Sequence, residues 1–238
     1  IVSRRQRQMC IRDRYHMEQN EFLELKNVHL KQQNNIILED ISLTINKGEF
    51  IYFVGKTGSG KSSLLKSLYG DIKIDKGDIF FNSLSLKKMR KKNILELRRR
   101  IGIIFQDFEL LMDRSIEDNL KFVMKATGWK NKKTINKAIE ELLNKVDMAD
   151  KAKSFPHLIS GGEQQRIAIA RALVNDPEII IADEPTGNLD PETSSKILTL
   201  IKQVAGNEKT VIMATHDYDI INKFPGRIIS FENKTIKE

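Results

Sequence analysis

The sequence predicts an α/β fold with a parallel sheet, and three observations carry that prediction. Apolar runs of buried-strand length recur at 49–54, 101–105, 179–183 and 210–214, rich in Ile and Val rather than alternating with polar residues. Such continuous runs belong to strands covered on both faces. Segments with helical spacing separate them, as in a sheet wound with crossover helices. The third observation is Gly55-Lys56-Thr57-Gly58-Ser59-Gly60-Lys61-Ser62, set between a strand-like run and the helix-like run 62–69.

That turn is the feature around which the rest is arranged. Its glycines let the backbone turn tightly with N–H groups pointing inward, so that amides and the positive end of the following helix cradle a phosphate. Lys61 supplies a point charge for the β- and γ-phosphates, and the Ser62 hydroxyl a ligand for magnesium. Ser63 continues the same helix start. A bare glycine-rich turn before a core helix lacks this ordered context.

The 238 residues, 40% of them apolar, suffice for one large domain or for one with a small inserted subdomain. No run approaches the roughly 18 apolar residues of a membrane span. The net charge is +8, of which +4 comes from Arg4, Arg5, Arg7, Arg12 and Arg14 against Asp13 in the first sixteen residues. The remainder is mildly basic, which fits a solvated face better than a nucleic-acid surface. Residues 1–16 lack apolar periodicity and read as a leader outside the fold, with Met17 as a plausible start. Cys10 is the only cysteine, so residues 17–238 have no disulfide chemistry, in keeping with a reducing cytoplasm.

In chain order, 22–28, 36–38 and 41–45 read as a small antiparallel β-layer feeding the strand at 49–54. A short strand is expected at 79–81, and the basic stretch 87–100 reads as a solvated helix face. The run 101–105 ends at Gln106, facing the crevice where α/β sheets bind ligands. Residues 107–157 change character. Helical spacing at 115–125 and 134–146 predicts an α-helical insertion, with Trp129 in the intervening loop as either packing or a partner anchor.

Ser160-Gly161-Gly162-Glu163 then opens a helix running to about Leu173. Ser160 and Glu163 have capping-box spacing, and the glycines leave first-turn amides open to an anion. The alternative is a simple N-cap. The strand at 179–183 ends in Asp183 and Glu184, where adjacent carboxylates divide the work. Asp183 holds Mg²⁺, directly or through water, and Glu184 orients and deprotonates an attacking water. A helix follows at 192–204, and the last buried strand, 210–214, ends near His216, able to donate to a phosphate oxygen.

Taken together these motifs resemble the nucleotide-binding subunits of ABC-type ATPases, from Leu23 to the C-terminus. The resemblance identifies Gly55 to Ser62 as the Walker A loop, Gln106 as the Q-loop glutamine and Ser160 to Gln164 as the signature. Ile179 to Asp183 with Glu184 corresponds to Walker B, Asn188 to Asp190 to the D-loop and His216 to the H-loop. It implies a P-loop NTPase core over residues 17–238 with a small antiparallel β-layer and a helical subdomain inserted at about 107–157. It also implies ATP hydrolysis with Mg²⁺ held by Ser62, Gln106 and Asp183, and catalysis by Glu184, His216 and Gln106. Two chains would pair head to tail, so that Ser160, Gly161, Gly162 and Asp190 of one meet the triphosphate held by the other. Within the family, the wording at 103–114, 160–166 and 182–190 is similar to the FtsE-like cell-division subgroup. That similarity implies an FtsX-like membrane partner, met through the helical subdomain, the Q-loop, Phe108 and 110–112. It also implies a peripheral place on the cytoplasmic face of the bacterial plasma membrane, and control of peptidoglycan hydrolases. Lipoprotein- and macrolide-export ATPases share much of this wording. A non-transport nucleotide switch and a soluble nucleic-acid-associated ATPase are the other classes weighed. Two departures stand out: no aromatic ring lies near residue 31 to stack on adenine, and Ile159 stands where the family's signature begins with Leu.

Overall fold

The structure is a computed structural model and describes residues 22–33 and 35–238. The expected leader 1–16 lies outside the described residues. In chain order the elements are β1 (Leu23–Gln32), β2 (Asn35–Ile45), β3 (Phe50–Val54), α1 (Lys61–Leu68), β4 (Ile74–Phe81), β5 (Leu84–Ser85) and α2 (Lys91–Arg99). There follow β6 (Ile101–Ile104), α3 (Ile116–Ala126), α4 (Lys132–Lys145), two short 3₁₀ turns, α5 (Gly161–Ala172) and β7 (Ile179–Asp183). The chain ends with α6 (Pro191–Ala205), β8 (Thr210–Ala214), α7 (Tyr218–Lys223), β9 (Arg227–Glu232) and β10 (Thr235–Lys237).

Two sheets are stacked. The larger runs β10-β9-β3-β8-β7-β6, with β9, β3, β8, β7 and β6 mutually parallel, and the smaller is antiparallel in the order β2-β1-β4-β5. The period of two along each central strand explains why the apolar runs are unbroken. Tyr52 and Val54 of β3, Ile180 and Ala182 of β7, and Val211 and Met213 of β8 enter one core, shared with α3 to α6. Their neighbours Ile51, Phe53, Ile179, Ile181, Ile212 and Ala214 point the other way, into the core beneath β1, β2, β4 and α1.

Register then places the site. Phe53 pairs with Ala214, Asp183 also pairs with Ala214, and Ala182 pairs with Ile104. The carboxyl ends of β3, β6, β7 and β8 therefore lie level, and the loops leaving them open on one edge.

Several expectations are corrected. Strand β8 is not the last: β9 adds beside β3, burying Ile229 and Phe231, and β10 pairs back on it. The alternation of Arg227-Ile228-Ile229-Ser230-Phe231-Glu232 carried that signal. Strand β4 begins at Ile74 rather than Ile79, because its polar first half is held by hydrogen bonding to β1. The basic stretch is helical only over Lys91–Arg99; Lys87, Lys88, Arg90, Arg98 and Arg99 are exposed, as expected of a solvated face, and Arg100 is half-buried. Arg98 donates to Tyr69 O at 3.2 Å, while Arg100 forks onto Glu178 at 2.5 and 3.0 Å and lies 4.2 Å over the Phe81 ring.

In the helical segment, α3 is capped by Ser115 and α4 by Asn131, each accepting from a first-turn amide. Trp129 packs against the core and donates to Asn175 Oδ1 at 3.0 Å, resolving that residue toward packing. Leu110 is likewise buried and Phe108 half-buried on the same core, whereas Met112 is half exposed.

Candidate nucleotide-binding and hydrolysis site

Gly55 follows β3 directly, and the loop to Gly60 ends at the N-terminus of α1. Lys56, Thr57 and Gly58 are exposed, Gly55 and Ser59 half-buried. Gly60 occupies the left-handed region at φ 103°, and a Cβ there would meet Leu38 Cδ2 at 2.7 Å. Only glycine satisfies both conditions, so the loop is pinned where β2 crosses beneath it. Lys61 is 4% exposed, with its Nζ donating to Gly55 O at 2.7 Å and Lys56 O at 3.1 Å. The loop thus wraps its own ammonium, a charge held where phosphate oxygens can replace backbone carbonyls. Ser63 is half-buried in the first turn of α1.

Ser62 Oγ donates to Asp183 Oδ1 at 3.0 Å, joining the Walker A helix to the end of β7. Burial pushes the Asp183 carboxyl above the usual carboxylate range, and the Ser62 hydrogen bond opposes that shift. A hydroxyl and a carboxylate side by side form a hard oxygen donor pair. Among the described residues there is no cluster of three or more His, Cys, Asp or Glu suited to a metal. Two protein oxygens, with phosphate and water filling the remaining positions, match the way magnesium is held beside nucleotides.

The next residue, Glu184, turns away from the strand at φ 47°. Its N–H donates to Ala214 O at 3.0 Å, and its carbonyl accepts from Gly187 N at 3.1 Å. Its Oε2 lies 3.0 Å from His216 Nδ1, with the histidine side chain largely exposed. A Cβ on Gly187 would lie 3.6 Å from Gln106 Nε2 and 3.7 Å from Glu184 Oε2, so these three residues adjoin. Gln106 stands two residues past the end of β6 and is exposed, while Asn188 Nδ2 donates to Asp107 Oδ1 at 3.1 Å. Gln106, Asp183, Glu184 and His216 therefore lie at neighbouring strand ends. A cavity of about 600 Å³ opens beside them, lined by Gly55, Lys56, Ser59, His216 and Tyr218.

The signature turn lies apart from this cavity. Ser160 is exposed and caps α5 in a reciprocal box: Glu163 N donates to its Oγ at 3.3 Å, and Ser160 N donates to Glu163 Oε2 at 2.8 Å. The bond from Ser160 N and a second from Ser160 Oγ, which donates to the same Oε2 at 2.7 Å, hold the Glu163 carboxyl below its usual range. Gly161 and Gly162 border a separate groove of about 380 Å³, shared with Asn188, Leu189, Asp190 and Thr193. Asp190 there caps α6, accepting from Glu192 N at 3.1 Å and Thr193 N at 3.0 Å. Within one chain, Ser160, Gly161, Gly162 and Asp190 thus form a second surface rather than part of the first cavity.

Sequence reasoning assigned no role to Gln165, which is fully buried, or to Arg171, which donates to Phe108 O and Glu109 O. Both project from α5, and helical spacing alone does not separate them from ordinary core-flanking polar residues.

The sequence profile of the ABC transporter family matches residues 38–187. The cell division ATP-binding protein FtsE of Streptococcus pneumoniae is 42% identical over 212 residues, covering 89% of this chain and 92% of its own. FtsE of Bacillus subtilis is 41% identical over 215 residues, covering 90% and 94%. Among solved structures, the dimeric post-hydrolysis state of the ATP-binding cassette MJ0796, bound to ADP and phosphate, superimposes with a TM-score of 0.80 at 32% identity, covering 91% of this chain and 97% of that one. The chain belongs to the ABC transporter family of ATP-hydrolysing cassettes, and within it to the FtsE-like cell-division branch.

Proposed function

We propose that this chain hydrolyses ATP at a composite site made by two copies and passes the resulting motion to an integral membrane partner of FtsX type. The observation that carries the proposal is the tie between Ser62 Oγ and Asp183 Oδ1, with Glu184 and His216 3.0 Å apart on the next residue and the next strand. Gly55 to Ser63 cradle the triphosphate, and Lys61 exchanges its loop carbonyls for β- and γ-phosphate oxygens. Ser62 and Asp183 would hold magnesium, with the exposed Gln106 able to add a third oxygen, and the ion would offset the charge developing on the phosphoryl oxygens. Glu184 orients the attacking water and takes its proton; His216 steadies Glu184 and donates to phosphate.

The exposed signature turn supports a two-chain site. Its open first-turn amides complete an anion site only when a second copy presents a triphosphate to them. MJ0796, the relative solved with ADP and phosphate, is dimeric. Residues 17–238 act as one ATPase domain, in which α3 and α4 form the helical subdomain and, with the Q-loop, meet the membrane partner. Among the described residues no helix is long and apolar enough to cross a membrane. Attachment to the cytoplasmic face of the plasma membrane then runs through the partner, and the assembly controls peptidoglycan hydrolases on the other side.

The test is steady-state hydrolysis by purified Glu184→Gln. Turnover is expected to fall on the order of 10²-fold or more, as general-base loss does. Turnover at the wild-type rate would remove Glu184 from the mechanism.

A further inference from the structure

Gln165 lies one turn into α5, behind the signature turn, and is 0% exposed. Its Nε2 donates to Pro185 O at 2.6 Å, the carbonyl immediately after Glu184. Among the described residues its Oε1 has no hydrogen-bond partner. A buried amide with one half unsatisfied is costly, and an apolar residue of similar volume would avoid the cost. The donated bond is therefore what the position retains.

The backbone that accepts it directly follows a residue in the left-handed region. Glu184 sits at φ 47°, sparsely populated for a side chain with a Cβ, and such conformations persist only when surrounding bonds over-determine them. Glu184 N to Ala214 O fixes the entrance of the turn, and Gly187 N to Glu184 O closes it. The bond from Gln165 holds its middle from a different element. That element begins at Ser160 to Gly162, and Arg171 at its other end donates to the carbonyls of Phe108 and Glu109, two further residues at positive φ, 59° and 53°.

We infer that Gln165 is a positioning residue that ties the signature turn of a chain to the backbone of the same chain's Glu184. The signature turn faces the nucleotide of the second copy, whereas Glu184 serves the nucleotide of its own. Gln165 then makes engagement at one site a condition for alignment of the base at the other. This rests on the proposed roles of Glu184 and of residues 160–162.

The experiment measures kcat, KM, nucleotide affinity and thermal melting for purified Gln165→Met, which fills the space without a donor, alone and in the Glu184→Gln background. In the single variant kcat is expected to drop roughly 10- to 100-fold, the scale of a small misplacement of a reacting group. KM and nucleotide affinity should stay within about twofold, because binding contacts are untouched. In the Glu184→Gln background the second substitution should add no further loss, since residues acting as a unit are non-additive. A lowered melting temperature with unchanged kcat, or an equal further loss in both backgrounds, would overturn the inference. Should Gln165→Met fold poorly, Gln165→Asn, one carbon too short to reach Pro185 O, decides by the same kcat and KM measurements; wild-type kcat there also overturns it. Loss of turnover in Glu184→Gln alongside normal turnover in both Gln165 variants removes only the positioning role. Normal turnover in Glu184→Gln removes the base itself.

Discussion

Replacement of Gly162 by alanine separates packing from phosphate approach at the signature turn. A Cβ at this position would lie 2.7 Å from Thr193 Cγ2, so α5 and α6 must part by roughly 0.7 Å to reach ordinary contact at 3.4 Å. Overpacking of this kind costs about 1–3 kcal/mol. Replacing glycine inside a helix recovers about 1 kcal/mol of that. The net destabilisation is then about 0–2 kcal/mol, a melting shift of roughly 0–8 °C for a chain of this size. Thr193→Ser removes the obstructing methyl, so the double variant Gly162→Ala/Thr193→Ser should melt close to wild type. If that groove receives the γ-phosphate as proposed, its ATP turnover should nonetheless remain depressed by about tenfold or more, because the added methyl narrows the groove that Gly162 and Thr193 line. Differential scanning calorimetry and a coupled phosphate-release assay on the four proteins of the cycle measure both quantities. Recovery of turnover in step with melting temperature would mean that Gly162 is there only to pack against α6.

Three further outcomes follow from the same geometry. Gly60→Ala combines a left-handed φ of 103° with a 2.7 Å approach to Leu38 Cδ2, and should lose about 3–4 kcal/mol, visible as a melting shift of roughly 6–16 °C; a shift under about 2 °C would contradict the crossing of β2 beneath the loop. Asp183→Asn should melt higher than wild type at neutral pH while losing Mg²⁺-dependent turnover, since burial raises this carboxyl above its unfolded value, and the folded state without nucleotide therefore loses stability as pH rises through the raised pKa; a lower melting temperature refutes that sign. Glu163→Ala should cost about 1 kcal/mol through the capping box. Because hydrogen bonds lower the Glu163 pKa, its contribution is present above the unfolded value and fades as pH falls through the folded one. Denaturant melts of wild type and variant should therefore converge in acid, and a constant gap would count against the box.

What the sequence made legible is what local chemistry over-determines. The runs at 179–183 and 210–214 are buried on both faces, so their composition left one assignment, and the phosphate loop is recognisable because backbone turn, charge and helix start are adjacent in the chain. The polar half of β4 was hidden because hydrogen bonding to β1, not burial, makes it a strand. The alternation of β9 was readable but its partner, β3, lies far away in the chain, and β10 was missed because three residues are too few to show a pattern. In the site, Gln106, Glu184 and His216 lie on three separate strand tips, and their meeting depends on the parallel register. The role inferred for Gln165 was out of reach, since Pro185 becomes its partner only when α5 packs against the end of β7.

The central claim is that two copies close around ATP and that Glu184-dependent hydrolysis reopens them. Light scattering during gel filtration of Glu184→Gln, with Mg²⁺ and either ATP or ADP, tests it most directly. A dimer with ATP that reverts to monomer with ADP, and disappears when Ser160 is replaced by Arg, is the expected result; a mass that is the same with both nucleotides would contradict it.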